Sequence, residues 1–281
     1  MKFSRARGRL RPGADGRLAP VTEPAAAAAP AALPGPRVLT VEVWVVLWLS
    51  IAASALRSLL SLVESLTRGE PLQSQAASII VSYAADRPWL DFTWQVVSIL
   101  LPLAPVALVL YLLHRSGESA RTIGLDLTEP WRDAARGAVL AAVIGGGGLV
   151  LYLVAYQLGL SVRLAAVALD AAWWTLPVLL ASALQNALLE EVVMLGYLLT
   201  RLDQLGWRRW QAVGASALLR ASYHLYQGFG GFVGNLVMGA VFGTLFYRWR
   251  RTMPFVVAHF LIDAVAFIGY QYLHGKVSWL P

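Results

Sequence analysis

Residues 174–199 read WTLPVLLASALQNALLEEVVMLGYLL, an apolar run broken by only two charges, the adjacent Glu190 and Glu191. About 20 mostly apolar residues are enough to cross a bilayer as a helix. This stretch therefore reads as a membrane span that carries two acids within it. Six more runs share its character, at about 39–62, 92–113, 137–158, 210–227, 232–248 and 254–273. A shorter, more polar piece, 72–85, is expected to lie at the interface. Lipid offers backbone polar groups no partners, so spans must be helices. The expected fold is all-α: a polytopic transmembrane helix bundle of about seven spans, with room for an eighth.

Composition agrees. Of the residues, 58% are hydrophobic and 14% charged, against about 25% charged in average soluble domains. Mean hydropathy is +0.60. A soluble enzyme, a disordered chain and a coiled coil are excluded. The chain has no Cys, which removes disulfides, thiolate nucleophiles and Cys-based metal sites. A formal charge of +7 would suggest nucleic acid in a soluble protein. Here the charges speak instead of orientation in a membrane, and no nucleic-acid partner is expected.

Residues 1–37 stand apart. Lys2, Arg5, Arg7, Arg9, Arg11, Arg17 and Arg37 are followed or joined by an Ala/Pro run from Ala25 to Pro36. Too few large apolar residues are present to offset ordering entropy, so this is read as a flexible basic tail. The transmembrane domain is read as 38–281. With the tail cytoplasmic, 17 of the 23 Lys and Arg fall in inside segments and four in outside ones. The positive-inside rule then gives a multi-pass cell-membrane protein with its N-terminus in and its C-terminus out. Gly145 to Gly148, and Gly239 with Gly243, are read as sites of close helix packing.

Ionisable groups deep in a span are functional candidates by default. Glu42 and Arg57 lie near span ends and are read as boundary residues. The rest form one set: Glu190 and Glu191, Arg220 and His224, His259 and Asp263. At a rise of 1.5 Å per residue, Glu190, His224, His259 and Asp263 fall in a layer about 10 Å thick near mid-membrane. His259 and Asp263 share a helix face, as do Arg220 and His224. Glu190 and Glu191 point about 100° apart on an α-helix, so only one is expected to aim at a common centre. Glu, two His and Asp can activate water and stabilise an oxyanion, pass protons in a transporter, or simply tie helices together. The residues alone leave these three open.

At these positions the sequence resembles the CAAX-protease and bacteriocin-processing (CPBP, or Abi) intramembrane endopeptidases. The likeness covers a core of about 175–270, with a weaker trace over Ile123–Gly137. The family's Glu-Glu-x-x-x-Arg motif reads Glu190-Glu191-Val192-Val193-Met194-Leu195, followed by Gly196-Tyr197-Leu198. Its Phe-x-x-x-His reads Arg220-Ala221-Ser222-Tyr223-His224, and its His-x-x-x-Asn/Asp reads His259-Phe260-Leu261-Ile262-Asp263. The resemblance implies a glutamic-type intramembrane endopeptidase with a site accessible from the cytoplasm and a peptide or protein substrate in or near the membrane. Glu190 would be the general base, His224 its partner, and His259 with Asp263 the oxyanion stabilisers, supported by Glu191 and Arg220. No cofactor is expected. No His-Glu-x-x-His helix is present, so zinc on Glu190, His224 and His259 is the lesser alternative. Two departures stand out: Leu195 replaces the motif Arg, and Arg220 replaces the motif Phe. Arg220 is expected either to reach Glu191 with a bidentate bond, leaving Glu190 free, or to meet backbone carbonyls or line a water cavity. The other readings are a non-catalytic scaffold or immunity-type protein of the same fold, and a proton-coupled transporter. No internal repeat of the transporter kind is seen.

Overall fold

The computed structural model describes residues 10–12, 18–20, 33–169 and 172–281. Two units are distinct, Met1–Ala32 and Leu33–Pro281. In the first, β1 (Leu10–Pro12) pairs antiparallel with β2 (Leu18–Pro20). The rest of the expected flexible tail, up to 32, lies outside the described residues. In the second unit six helices are long and apolar enough to span: α1 (Pro36–Thr67), α2 (Pro88–Arg115), α3 (Pro130–Gln157), α4 (Thr175–Gln204), α6 (Phe229–Trp249) and α7 (Met253–Leu273). The protein is a multi-pass membrane helix bundle.

Between α4 and α6 lies α5 (Arg209–Ser222), whose 14 residues extend about 21 Å. It is shorter than the expected 210–227 helix because the chain turns at Tyr223 and makes only a single 3₁₀ turn over Leu225–Gln227. The turn then meets the end of α3. Gly228 bridges Ser161, with φ +90° and so little room that a Cβ would sit 2.7 Å from the Leu160 carbonyl oxygen. Only glycine takes that backbone without strain.

The helices are not uniform. Pro102 removes a donor from α2, and Leu101–Leu103 tightens to 3₁₀ geometry. Wider π-helical turns interrupt α1 at Trp48–Ala52, α3 at Ala141–Gly145 and α4 at Glu191–Tyr197. Such turns recur at functional sites, and the third begins on the second of the two acids.

Arginine latches tie one end of the bundle together. Arg115 of α2 pairs with Glu42 of α1, and Arg201 of α4 with Glu118 at 2.5 Å. Arg250 meets Asp203 at 2.9 Å, and Arg251 meets Asp133 at 2.6 Å and Asp126 at 2.9 Å. Glu42, near the start of α1 as expected, is buried and paired there. At the other end, β3 (Ala76–Val81) pairs parallel with β4 (Arg163–Ala168), Ala76 opposite Arg163 and Val81 opposite Ala168. The 72–85 piece, expected along the interface, contains this strand after a 3₁₀ turn at Leu72–Ser74. Ile80 joins Trp174, Val178 and Leu179 of the α4 entrance and Phe267 and Tyr270 of α7 in one apolar cluster.

The glycines divide. Gly239 and Gly243 of α6 do bring helices close: a Cβ on Gly239 would lie 2.8 Å from the Ala217 Cα of α5, and one on Gly243 3.2 Å from Val213. Gly146, Gly147 and Gly148 face open space, and only Gly145 approaches a neighbour, Ile262 at 3.1 Å. Their expected packing role is not met; the close contact of α3 with α7 is at Gly137, against Val257 and the Pro254 carbonyl.

Candidate active site

Four segments converge on one cavity of about 530 Å³. Glu190 comes from α4, His224 from the turn after α5, and His259 and Asp263 from α7; all four line it. α1 forms the facing wall, from Ser50 to Ser61. The lining runs from mid-helix residues to Ile79 of β3 and Gln227, and none of the latch arginines Arg115, Arg201 or Arg251 joins it. The cavity thus extends toward the end of the bundle that carries β3.

The two acids behave differently. Glu191 is fully buried, and its Oε1 accepts from Arg220 Nη2 at 2.6 Å and His259 Nδ1 at 2.7 Å. Glu190 reaches the cavity. Its Oε2 accepts from the Tyr223 hydroxyl at 2.7 Å and lies 3.4 Å from Arg220 Nη1. The expectation that one acid aims at the centre holds for Glu190, yet both meet a single guanidinium. Two changes to the expected geometry follow. Arg220 does not grip Glu191 bidentately; it bridges Glu191 and Glu190. Glu190 is thus not free of it, although the Oε1 of Glu190 has no hydrogen-bond partner among the described residues.

Arg220 is seated by its neighbours. It is 1% exposed. Gly239 leaves room for its stem, the Phe242 ring lies 5.9 Å from its charge, and the Met238 sulfur lies 3.8 Å from Nη1. A positive charge buried this deeply needs its carboxylates.

The imidazoles are oriented too. His224 Nδ1 lies 2.9 Å from the Arg220 carbonyl oxygen. A carbonyl only accepts, so Nδ1 carries a proton, and in the neutral ring Nε2 keeps a lone pair. His224 makes no direct hydrogen bond to Glu190. His259 has Nδ1 on Glu191 and Nε2 3.7 Å from Asp263. Asp263 in turn accepts from Asn186 Nδ2 at 3.0 Å.

Tyr223 and Asn186 escaped the sequence reading, since neither is charged. Both carried a positional signal. Tyr223 precedes His224, and Asn186 lies one turn before Glu190 on the same face of α4.

Oxygen and nitrogen atoms of Glu190, Glu191 and His259 lie within 4.8 Å of one another, a spacing that could hold a metal ion. The fit is poor, because the Arg220 guanidinium already bridges the two carboxylates. His224 is not part of that group.

No curated protein and no solved structure matches the chain. Residues 172–265 match the family model described as type II CAAX prenyl endopeptidase Rce1-like. That segment contains α5, α6, most of α7 and every one of the converging acids and imidazoles. Over this segment, about a third of the chain, the protein is similar to the CAAX-protease-like membrane endopeptidases.

Proposed function

We propose that the protein is a glutamic-type intramembrane endopeptidase that hydrolyses peptide bonds of membrane-embedded or membrane-proximal substrates. The observation that carries this reading is the convergence of Glu190, His224, His259 and Asp263 on one cavity. A water held between Glu190 Oε1 and His224 Nε2 would meet two acceptors. Glu190, anchored by Tyr223 and Arg220 through its other oxygen, takes the proton as the water attacks the peptide carbonyl. His259, held through Nδ1 by Glu191, donates from Nε2 to the developing oxyanion in its doubly protonated form. Asp263, fixed by Asn186, steadies that imidazole. Glu190 then returns its proton to the leaving amine, so one water is consumed and two peptides are released.

The chemistry needs no metal, and the bridging guanidinium supports this. The test is hydrolysis of a panel of membrane peptides in detergent. Glu190→Gln, His224→Ala and His259→Ala should each lower turnover by about 10²–10³ or more, the usual cost of losing such a group. Chelator should leave wild-type activity intact. Turnover by Glu190→Gln at the wild-type rate would falsify the assignment, and activity lost to chelator and restored by zinc would replace it with a metal mechanism.

A further inference from the structure

The cavity has a second cation that the proposed chemistry does not use. Arg57 of α1 lines it, on the wall facing Glu190 and the two imidazoles. The wall is polar for a membrane helix: Ser50, Ser54, Ser58 and Ser61 lie on the same face and line the same space. Ser58 fixes the wall to the site. Its hydroxyl accepts from the backbone N–H of Tyr226 at 2.7 Å, two residues beyond His224. Arg57, next to Ser58 in the chain, is held among the described residues through its Nε, which donates to the Ala53 carbonyl oxygen at 3.2 Å. Among the described residues no carboxylate lies within ion-pair distance of it.

The two fully buried arginines differ from Arg57. Arg201 is neutralised by Glu118 and Arg220 by Glu190 and Glu191. A cation in mid-membrane surroundings is costly unless it is paired or faces a water-filled space. Arg57 lies ten residues before the end of α1 at Thr67, about 15 Å along the helix. Its fork is planar and presents two terminal nitrogens, the geometry that takes a carboxylate in two parallel bonds. The cavity holds carboxylates of its own on the α4 and α7 side only, in Glu190 and Asp263. A bound peptide would thus find negative charge on one wall and a single open positive charge on the other.

We infer that Arg57 is a substrate-binding residue, which anchors a carboxylate of the bound peptide on the α1 wall and so sets the distance from that carboxylate to the bond facing Glu190. The carboxylate is either the peptide's free C-terminus or an acidic side chain. The inference rests on the peptidase reading above, but binding tests it separately from turnover.

The probe is a fluorescent S-farnesylated peptide ending Cys-Val-Leu-Ser, a sequence of the C-a-a-X type. It is compared with its C-terminal amide and with an amide whose last residue is Glu. Binding is measured to the full chain carrying Glu190→Gln in lipid nanodiscs, so that nothing is cleaved. The free acid should bind about 10- to 100-fold tighter than the amide, the worth of a charge-assisted hydrogen bond. Adding Arg57→Gln should bring that ratio to about 1, and Arg57→Lys should keep part of it. Arg68→Gln, which alters an exposed arginine paired with Glu64, should leave the ratio unchanged. Tightening that depends on Arg57 and follows the Glu side chain instead would keep the carboxylate site and assign it to a side chain. If all three peptides bind alike, including not at all, or if the ratio survives Arg57→Gln, the inference is wrong. Wild type and Glu190→Gln are compared for turnover in parallel. Equal turnover removes the peptidase reading while an Arg57-dependent ratio still stands as a binding site.

Discussion

Arg220 comes from α5 yet sits beside both acids of α4. The family motif places an arginine four residues after its second acid, and here that position is Leu195, fully buried in the wide turn of α4. The guanidinium comes instead from α5 and reaches Glu191 at 2.6 Å and Glu190 at 3.4 Å. Removing one member of a buried ion pair costs about 3–5 kcal/mol, because the remaining charge is stranded. Arg220→Phe should therefore lower both thermal stability and turnover sharply. Leu195→Arg added to that variant should recover part of both, since it returns a cation to the helix of the two acids. A double-mutant cycle measures the recovery, and a double variant no better than Arg220→Phe would end the idea of relocation. This residue was legible because a lone charge in a membrane span demands an explanation. Tyr223 and Asn186 were not, because a phenol or an amide in a span is cheap enough to have many uses. Their roles depend on which carboxylate oxygen they face, which no spacing specifies.

At the scale of elements, glycine shows where sequence reading stops. Four successive glycines in α3 looked like a packing surface, but three of them meet nothing. A missing side chain permits close approach; only the neighbouring helix decides whether it occurs. Gly239 is where it does, beside Ala217 and the stem of Arg220. Gly239→Val should destabilise the protein by about 1–3 kcal/mol through overpacking and lower turnover by displacing Arg220. Gly147→Ala should leave melting temperature and activity close to wild type, and a large loss there would show that α3 meets a partner on that face. The strands β3 and β4 were also beyond reach, since six residues in a connection give too short a pattern and their pairing joins segments far apart in sequence. The loop before α3 offers a different test. Hydrogen bonds from Thr128, then the Arg251 guanidinium, hold the Asp126 carboxyl down at about 2, below its ordinary 3.8. A depressed carboxylate contributes stability that is full above its unfolded value and is lost as pH falls through its folded one. Wild type in detergent should therefore lose melting temperature between about pH 4 and 2, and Asp126→Asn should lose less over that interval. Parallel curves for the two would exclude Asp126 from the latch's stability.

For the whole molecule, hydropathy found the six long helices because lipid leaves a spanning chain so few choices. The short α5 is where the count becomes an argument. Six crossings would put both termini on one side, and seven put them on opposite sides. The contacts favour seven traverses. Arg250 at the end of α6 pairs with Asp203 near the end of α4, whereas Gly228 at the start of α6 bridges Ser161 beyond α3. The chain between them, α5 and its 3₁₀ turn, must run from one end of the bundle to the other. At about 21 Å for α5 against a hydrocarbon core of about 30 Å, the Tyr223–Gln227 turn completes the distance, and it is this turn that carries His224 to the cavity. The arginine latches all lie at the end where α1 begins, since Arg115 pairs there with Glu42. We propose, from the positive-inside bias, that this is the cytoplasmic end. A reporter that works only outside the cytoplasm should thus be active when fused after Pro281 and silent when fused ahead of Pro36. The cavity, extending toward the strand end, would then draw its water from the extracytoplasmic side. A silent reporter after Pro281 would mean that α5 turns back within the membrane, and that the site is reached from the cytoplasm after all.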